Sequence, residues 1–245
     1  MLSGIAGVYY REMRVLRTRI LRNVAAGMVS PALFLVAFGY GLGRGRSFEG
    51  MDYLDFLFAG LLTMSTLNAS YGIGTDINIA RFYLKTFDEY LIAPIARWQV
   101  VAGKILYGMT RGLINATIFF IYAFTAGLNI QITPLFALTL VMHMAMFSLL
   151  GFSVALAVKR HGDQFALNTF LITPMTFLSG IFFPVDQAPL ALKWLVQLFP
   201  VSHAVSLMRA ELTGGATQYA HLFILTVFLA AFFAAALRLA KRAEG

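Results

Sequence analysis

Long stretches with hardly a charge recur along this chain, and its polar residues collect in the gaps between them. A helix needs about 20 residues to cross a hydrocarbon core of roughly 30 Å. Runs of that kind lie at 24–42, 54–76, 100–126, 134–158, 165–183 and 220–239. They are continuous, whereas barrel strands alternate apolar and polar positions over short segments. The pattern predicts an all-α integral membrane protein with six transmembrane helices. Ahead of the first run, Tyr9, Met13, Leu16, Ile20 and Val24 recur at helical spacing with arginines between them. That predicts an amphipathic interface helix over 1–23, lying in the headgroup layer of the lipid bilayer. The segment 184–215 is too interrupted to span and too apolar for a free loop. Pro189 opens a short helix, Pro200 ends it, and Gly214–Gly215 ends a second. Non-helical backbone at membrane depth must be buried in protein or line a wet cavity, so this segment is predicted to be re-entrant on the extracytoplasmic side. The whole of 1–245 reads as one membrane domain.

Composition sharpens the picture. Of 245 residues, 59% are hydrophobic and only 12% charged, against about 25% charged in soluble domains. The net charge of +8 is explained by where the basic residues sit, which removes any need for a nucleic-acid partner. Arg11, Arg14, Arg17, Arg19, Arg22, Arg81, Lys85, Arg97, Lys104, Arg111, Lys159, Arg160, Arg238, Lys241 and Arg242 flank one end of the runs. Only Arg44, Arg46, Lys193 and Arg209 flank the other. The positive-inside rule then places both termini in the cytoplasm, as an even number of spans requires, with the chain multi-pass in the cytoplasmic (inner) membrane. No basic residue precedes Arg11, which argues against a cleaved secretory signal. Cysteine is absent, so disulfides and thiolate metal sites are excluded.

Catalytic signatures are missing. Gly103–Lys104 lacks the rest of a Walker-type phosphate loop, and neither His-Glu-x-x-His nor Gly-x-Ser-x-Gly occurs. The sequence therefore predicts no catalytic residues, no metal ligands and no cofactor bound by this chain. His143, in the fourth run, reads either as a proton relay or haem ligand, or as a hydrogen-bonded helix contact. Polar residues inside the runs offer two readings as well. Thr66 and Ser70 in the second run, Asn115 in the third, and Thr169, Thr173 and Thr176 in the fifth either pack helices together or line a substrate path. Gly108-x-x-x-Gly112 fits close helix packing, and Arg111 reads as a side chain snorkelling to the interface.

One insert stands out, the region 77–99 between the second and third runs. It carries acids, Pro94, Arg97 and Trp98, but also Phe82, Tyr83, Phe87, Tyr90, Leu91 and Ile92. A connecting loop would be more polar. Asp88 and Glu89 early in a short helix suit its positive dipole end, and the aromatic residues predict a face that enters a partner's groove.

This segment resembles the coupling helix of ABC-2 type transporter permeases. Their Thr-x-Glu-x-x-Leu-x-x-Pro-x-x-Arg pattern, followed by Gly-Lys, is matched by Thr86, Asp88, Leu91, Pro94, Arg97, Gly103 and Lys104, with Asp88 in place of Glu and Glu89 beside it. A second match is similar to the family's extracytoplasmic signature and uses Ser179, Gly180, Phe183, Pro184, Pro189, Pro200 and Arg209. The resemblance, to permeases of the nodulation-factor and daunorubicin type, implies a homodimer of permeases. Two ABC ATP-binding subunits, which hold the ATP and Mg, would dock on the coupling helices through Thr86, Phe87, Asp88, Glu89, Tyr90, Leu91, Pro94 and Arg97. It implies ATP-driven export of an amphiphilic substrate, drug-like, lipid or lipid-linked glycan. An ATP-independent channel or secondary carrier is the alternative.

Overall fold

A computed structural model describes residues 2–42, 47–48, 51–125, 128, 130–185, 188–214 and 219–242. The elements are α1 (Leu2–Phe34), α2 (Tyr53–Tyr71), α3 (Ile73–Asn78), α4 (Asp88–Ile92), α5 (Arg97–Thr125), α6 (Pro134–Ala157), α7 (His161–Leu167), α8 (Thr173–Leu178), α9 (Leu190–Gln197), α10 (Pro200–Thr213) and α11 (Tyr219–Arg242). Wider π-type turns extend α1 over Leu35–Leu42, continue α3 over Ile79–Tyr83 and join α7 to α8 over Asn168–Ile172. Apart from a two-stranded antiparallel ladder, Ser47–Phe48 on Met51–Asp52, the described fold is all-α.

Among the described residues, four helices are long and apolar enough to cross a membrane: Tyr53–Tyr83, Arg97–Thr125, Pro134–Ala157 and Tyr219–Arg242. A fifth is added if Leu190–Gln197 and Pro200–Leu212, bent by 92°, form one broken span. The fold is thus a multi-span helical bundle. Two of the six predicted spans do not stand alone as long apolar helices. The run at 24–42 is the far end of α1, whose shorter apolar part is Met28–Gly39. The run at 165–183 is divided among α7, a π-type turn and α8, because Asn168 and Pro174 interrupt its hydrophobicity.

Local sequence explains the element ends. Thr133 caps α6, its Oγ1 accepting from the Phe136 N–H at 3.0 Å, with Pro134 in the first turn, a cap worth about 1 kcal/mol. Pro200 opens α10, and Gly214 closes it in the left-handed conformation at φ 70°, where a β-carbon would be strained.

α2 forms the centre of the bundle, buried along nearly its whole length against α5, α6 and α10. Thr63 and Tyr71 of α2 meet His143 and Gly151 of α6, so those helices run parallel. Ser65 and Ser70 meet Asn115 and Gly112 of α5, which runs antiparallel. Gly112 permits that approach, since a side chain there would collide with the Ser70 hydroxyl of α2, and with Met144 of α6 as well. The small-residue reading of Gly108 and Gly112 thus holds.

α1 is a single helix through residue 24, so the predicted interface segment and first span are continuous. Its N-terminal part packs along α5 through Gly4, Val8, Glu12 and Leu16. That stripe is turned from the predicted one, because a carboxylate occupies its middle, and Ile20 points outward.

Candidate functional site

The region 77–99 closes over the end of the bundle where α1, α5, α6 and α11 converge. Two residues beyond the π-type turn Ile79–Tyr83 comes Lys85, whose φ of 55° places a non-glycine residue in the left-handed region. Such a conformation costs about 1–2 kcal/mol and turns the chain sharply into α4. Amides of Thr86 and Phe87 return to the Ala80 carbonyl, at 3.0 and 3.3 Å, so the turn is closed by its own backbone.

α4 has five residues, too few to be stable alone; packing holds it. Phe87 and Tyr90 are buried, their rings 6.0 Å apart edge to face. Both rings turn inward, where they leave water, rather than toward the exposed edge of α4. The Tyr90 hydroxyl donates to Glu12 Oε1 at 2.7 Å and accepts from Arg11 Nη1 at 2.7 Å. Glu12 also receives the Lys104 ammonium at 2.8 Å, and both side chains are under a tenth exposed. Arg11 reaches Glu89 at 3.2 Å, and the Arg97 guanidinium donates to the Tyr90 carbonyl at 3.4 Å. Cations of Arg11 and Lys104 lie 4.8 and 4.9 Å from the Tyr90 ring centre. Burial, with the Glu12 charge beside it, pushes the Tyr90 phenol up, so it remains a donor. Three elements are thereby locked: α1 by Glu12, α5 by Lys104, α4 by Tyr90.

What α4 leaves exposed is narrower than the sequence suggested. Ile92 is 86% exposed, Pro94 and Glu89 are exposed, Thr86 is half-buried, and Trp98 stands out at the start of α5. The side chains of Asp88 and Leu91 lie outside the described residues.

The second motif, from Ser179 to Arg209, is also brought together. Arg209 of α10 is buried, with its guanidinium 3.5 Å from the centre of the Phe56 ring. It donates to the carbonyls of Gly180, at 2.9 Å, and Phe56, at 3.3 Å. Gly180 sits at φ 76°, the conformation that turns its carbonyl to the arginine. Ser179 bonds the Met175 carbonyl, Pro184 and Pro200 are buried, and Phe183 is half-buried. These residues fasten the corner after α8 to α2 and α10.

The candidate path residues do not share one lining. Thr66 bonds the Leu62 and Thr63 carbonyls, Asn115 donates to Ser65 at 3.2 Å, and Thr176 bonds the Ile172 carbonyl. All three, with Ser70, are buried between helices. Thr169 and Thr173 face outward, beside Phe170 at 81% exposure. His143 is fully buried, its Nε2 3.1 Å from the Thr63 carbonyl and its ring on Phe147, so it is a helix contact. Among the described residues, no group of three or more histidines and carboxylates could hold a metal. Arg111 does not snorkel: it pairs with Asp76 at 2.6 Å, and Tyr107 joins the same carboxylate at 3.2 Å. Neither that pair nor the Glu12–Lys104 pair was legible, since their partners lie 35 and 92 residues apart.

A multi-span bundle without a nucleotide motif, bearing a braced aromatic insert on one end, has the makings of a transport permease. The ABC-2 type transporter model matches residues 7–213, and the chain belongs to that family as a membrane permease subunit, the transmembrane and non-catalytic part of an ABC-type transporter. It is similar to the inner membrane transport permease YadH of Escherichia coli, 24% identical over 99% of this chain and 96% of that protein. Similar too are nodulation protein J of Rhizobium leguminosarum bv. viciae, 26% identical over 96% and 93%, and that of Rhizobium meliloti, 27% over 89% and 84%. Family membership implies an ATP-binding partner and places the chain in the inner membrane as a multi-pass protein.

Proposed function

We propose that this chain is the permease half of an ATP-driven exporter, working as a homodimer gripped by two ATP-binding subunits at α4. Each partner subunit binds the ATP and Mg; this chain converts their movement into helix movement. The observation that supports this reading best is the brace beneath α4. A five-residue helix standing on a buried Glu12–Lys104–Tyr90 lock transmits force rather than yielding to it, and its free edge (Glu89, Ile92, Pro94) is what a partner would grip. Asp88, Leu91, Thr86 and Arg97 complete the docking segment in this reading, with Phe87 and Tyr90 as its inner anchors.

The grip faces the cytoplasm, as do both termini. Cargo is an amphiphile, drug-like, lipid or lipid-linked glycan, drawn from the cytoplasm or inner leaflet. Thr169, Thr173 and Phe170, exposed on one face of the α7–α8 segment, suit a path at the seam with the second copy, whereas Thr66, Ser70, Asn115 and Thr176 serve packing. Reconstituting the permease with its ATPase in proteoliposomes tests the proposal. Ile92→Asp should abolish cargo-stimulated ATP hydrolysis while insertion is retained; unchanged stimulation would reject the grip.

A further inference from the structure

Two histidines meet where α10 packs against the start of α11, far from α4. His203 Nδ1 lies 2.7 Å from His221 Nδ1, and His203 Nε2 lies 2.9 Å from the Gln197 carbonyl. A carbonyl only accepts, so His203 carries its proton on Nε2 and turns a lone pair on Nδ1 toward its neighbour. His221 must then donate from Nδ1, which leaves its Nε2 as the one uncommitted lone pair. His203 is buried, and His221 is half-buried, so a proton can reach the pair from the His221 side.

Proton counting follows from that geometry. A first added proton enters at His221 Nε2 and leaves every contact intact, with the shared hydrogen bond now charge-assisted. A second has only His203 Nδ1 to occupy. Two N–H groups would then point at each other across 2.7 Å, and two cationic rings would sit 4.9 Å apart. Nothing alongside relieves that. Among the described residues, neither ring is paired with a carboxylate or with another cation. On α10 itself, Arg209 bonds the Gly180 and Phe56 carbonyls, and Glu211 receives the Thr133 hydroxyl. Of the elements packed against α10, α2 presents Asp55, α9 Lys193 and α6 His143; none of these contacts either ring, and His143 meets Thr63. Arg238, Lys241 and Arg242 stand at the opposite end of α11.

We infer that His203 and His221 form a proton-sensitive latch between α10 and α11, closed with no or one added proton and released by the second. Release frees α10, which also carries Arg209 and therefore the corner at Gly180. Acid on the side of the membrane that α10 faces, the extracytoplasmic side in the orientation proposed above, loosens this end of the bundle.

The chain has no cysteine, so Ser206→Cys and Phe223→Cys place two spin labels, one on each helix, in the full chain in lipid nanodiscs. Their distance distribution is read from mildly alkaline to acid pH. Because the open form holds one more proton than the singly charged closed form, the open-to-closed ratio should rise about tenfold per pH unit of acidification. His221→Phe, and independently His203→Phe, should make the distribution insensitive to pH. An unchanged distribution in the parent chain, or a pH response that survives both substitutions, overturns the latch. Neither readout involves the ATPase, so failure here leaves the docking proposal standing, and failure of docking leaves the latch standing.

Discussion

Glu12 is the residue on which the brace depends. It accepts from Lys104 and Tyr90 together, and both cations beneath α4 lean on it. Glu12→Gln strands a buried ammonium, a change that costs about 3–5 kcal/mol and should appear as a lower midpoint of thermal unfolding in detergent. Glu12→Gln combined with Lys104→Met should lose less than the single change, because no unpaired charge remains. Tyr90→Phe removes a hydrogen bond to a charged group, worth about 1.5–3 kcal/mol. Since the phenol is held above its ordinary value of 10.0, its contribution is whole at neutral pH and below and disappears only in strong alkali. The penalty of Tyr90→Phe should therefore be equal in mildly acid and neutral buffer. At the opposite end, Gly180→Ala forces a β-carbon into φ 76° and to 2.6 Å from Val185 Cγ2, which should cost about 1–2 kcal/mol, read from the same unfolding measurement. Sequence showed that Gly180 and Arg209 belong to one motif but not that the arginine holds the glycine's carbonyl. That contact spans 29 residues and has no periodicity to betray it.

Among elements, the long apolar helices α2, α5, α6 and α11 were legible because their hydrophobic runs are unbroken. The weaker segments were not. α1 looks like two pieces in sequence because its charges end where its apolar run begins, yet its backbone is continuous. α4 illustrates the opposite limit. Its place and its acidic start could be read, but Phe87 and Tyr90 look alike as docking or anchoring aromatics until tertiary packing turns them inward. The division of labour gives a prediction at this scale. Changing the exposed edge, as in Ile92→Asp, should weaken ATPase co-purification and leave stability near that of the parent. Phe87→Ala should do the reverse first, costing about 3–5 kcal/mol as a truncated buried aromatic. Thermal unfolding and affinity co-purification on the same preparations separate the two.

At the scale of the whole molecule, a hydrophobic bundle with no nucleotide motif of its own carries the braced segment of α4 at one end. The proposed scheme has this chain as the driven part and a separate ATPase as the motor. The most direct test uses the absence of native cysteine. A single Ile92→Cys is exposed to a membrane-impermeant maleimide in intact cells and in everted membrane vesicles, before and after the ATPase is stripped and returned. The scheme predicts no labelling in intact cells, strong labelling in stripped everted vesicles, and protection when the ATPase is restored. Labelling from outside intact cells, or equal labelling with and without the ATPase, would contradict it.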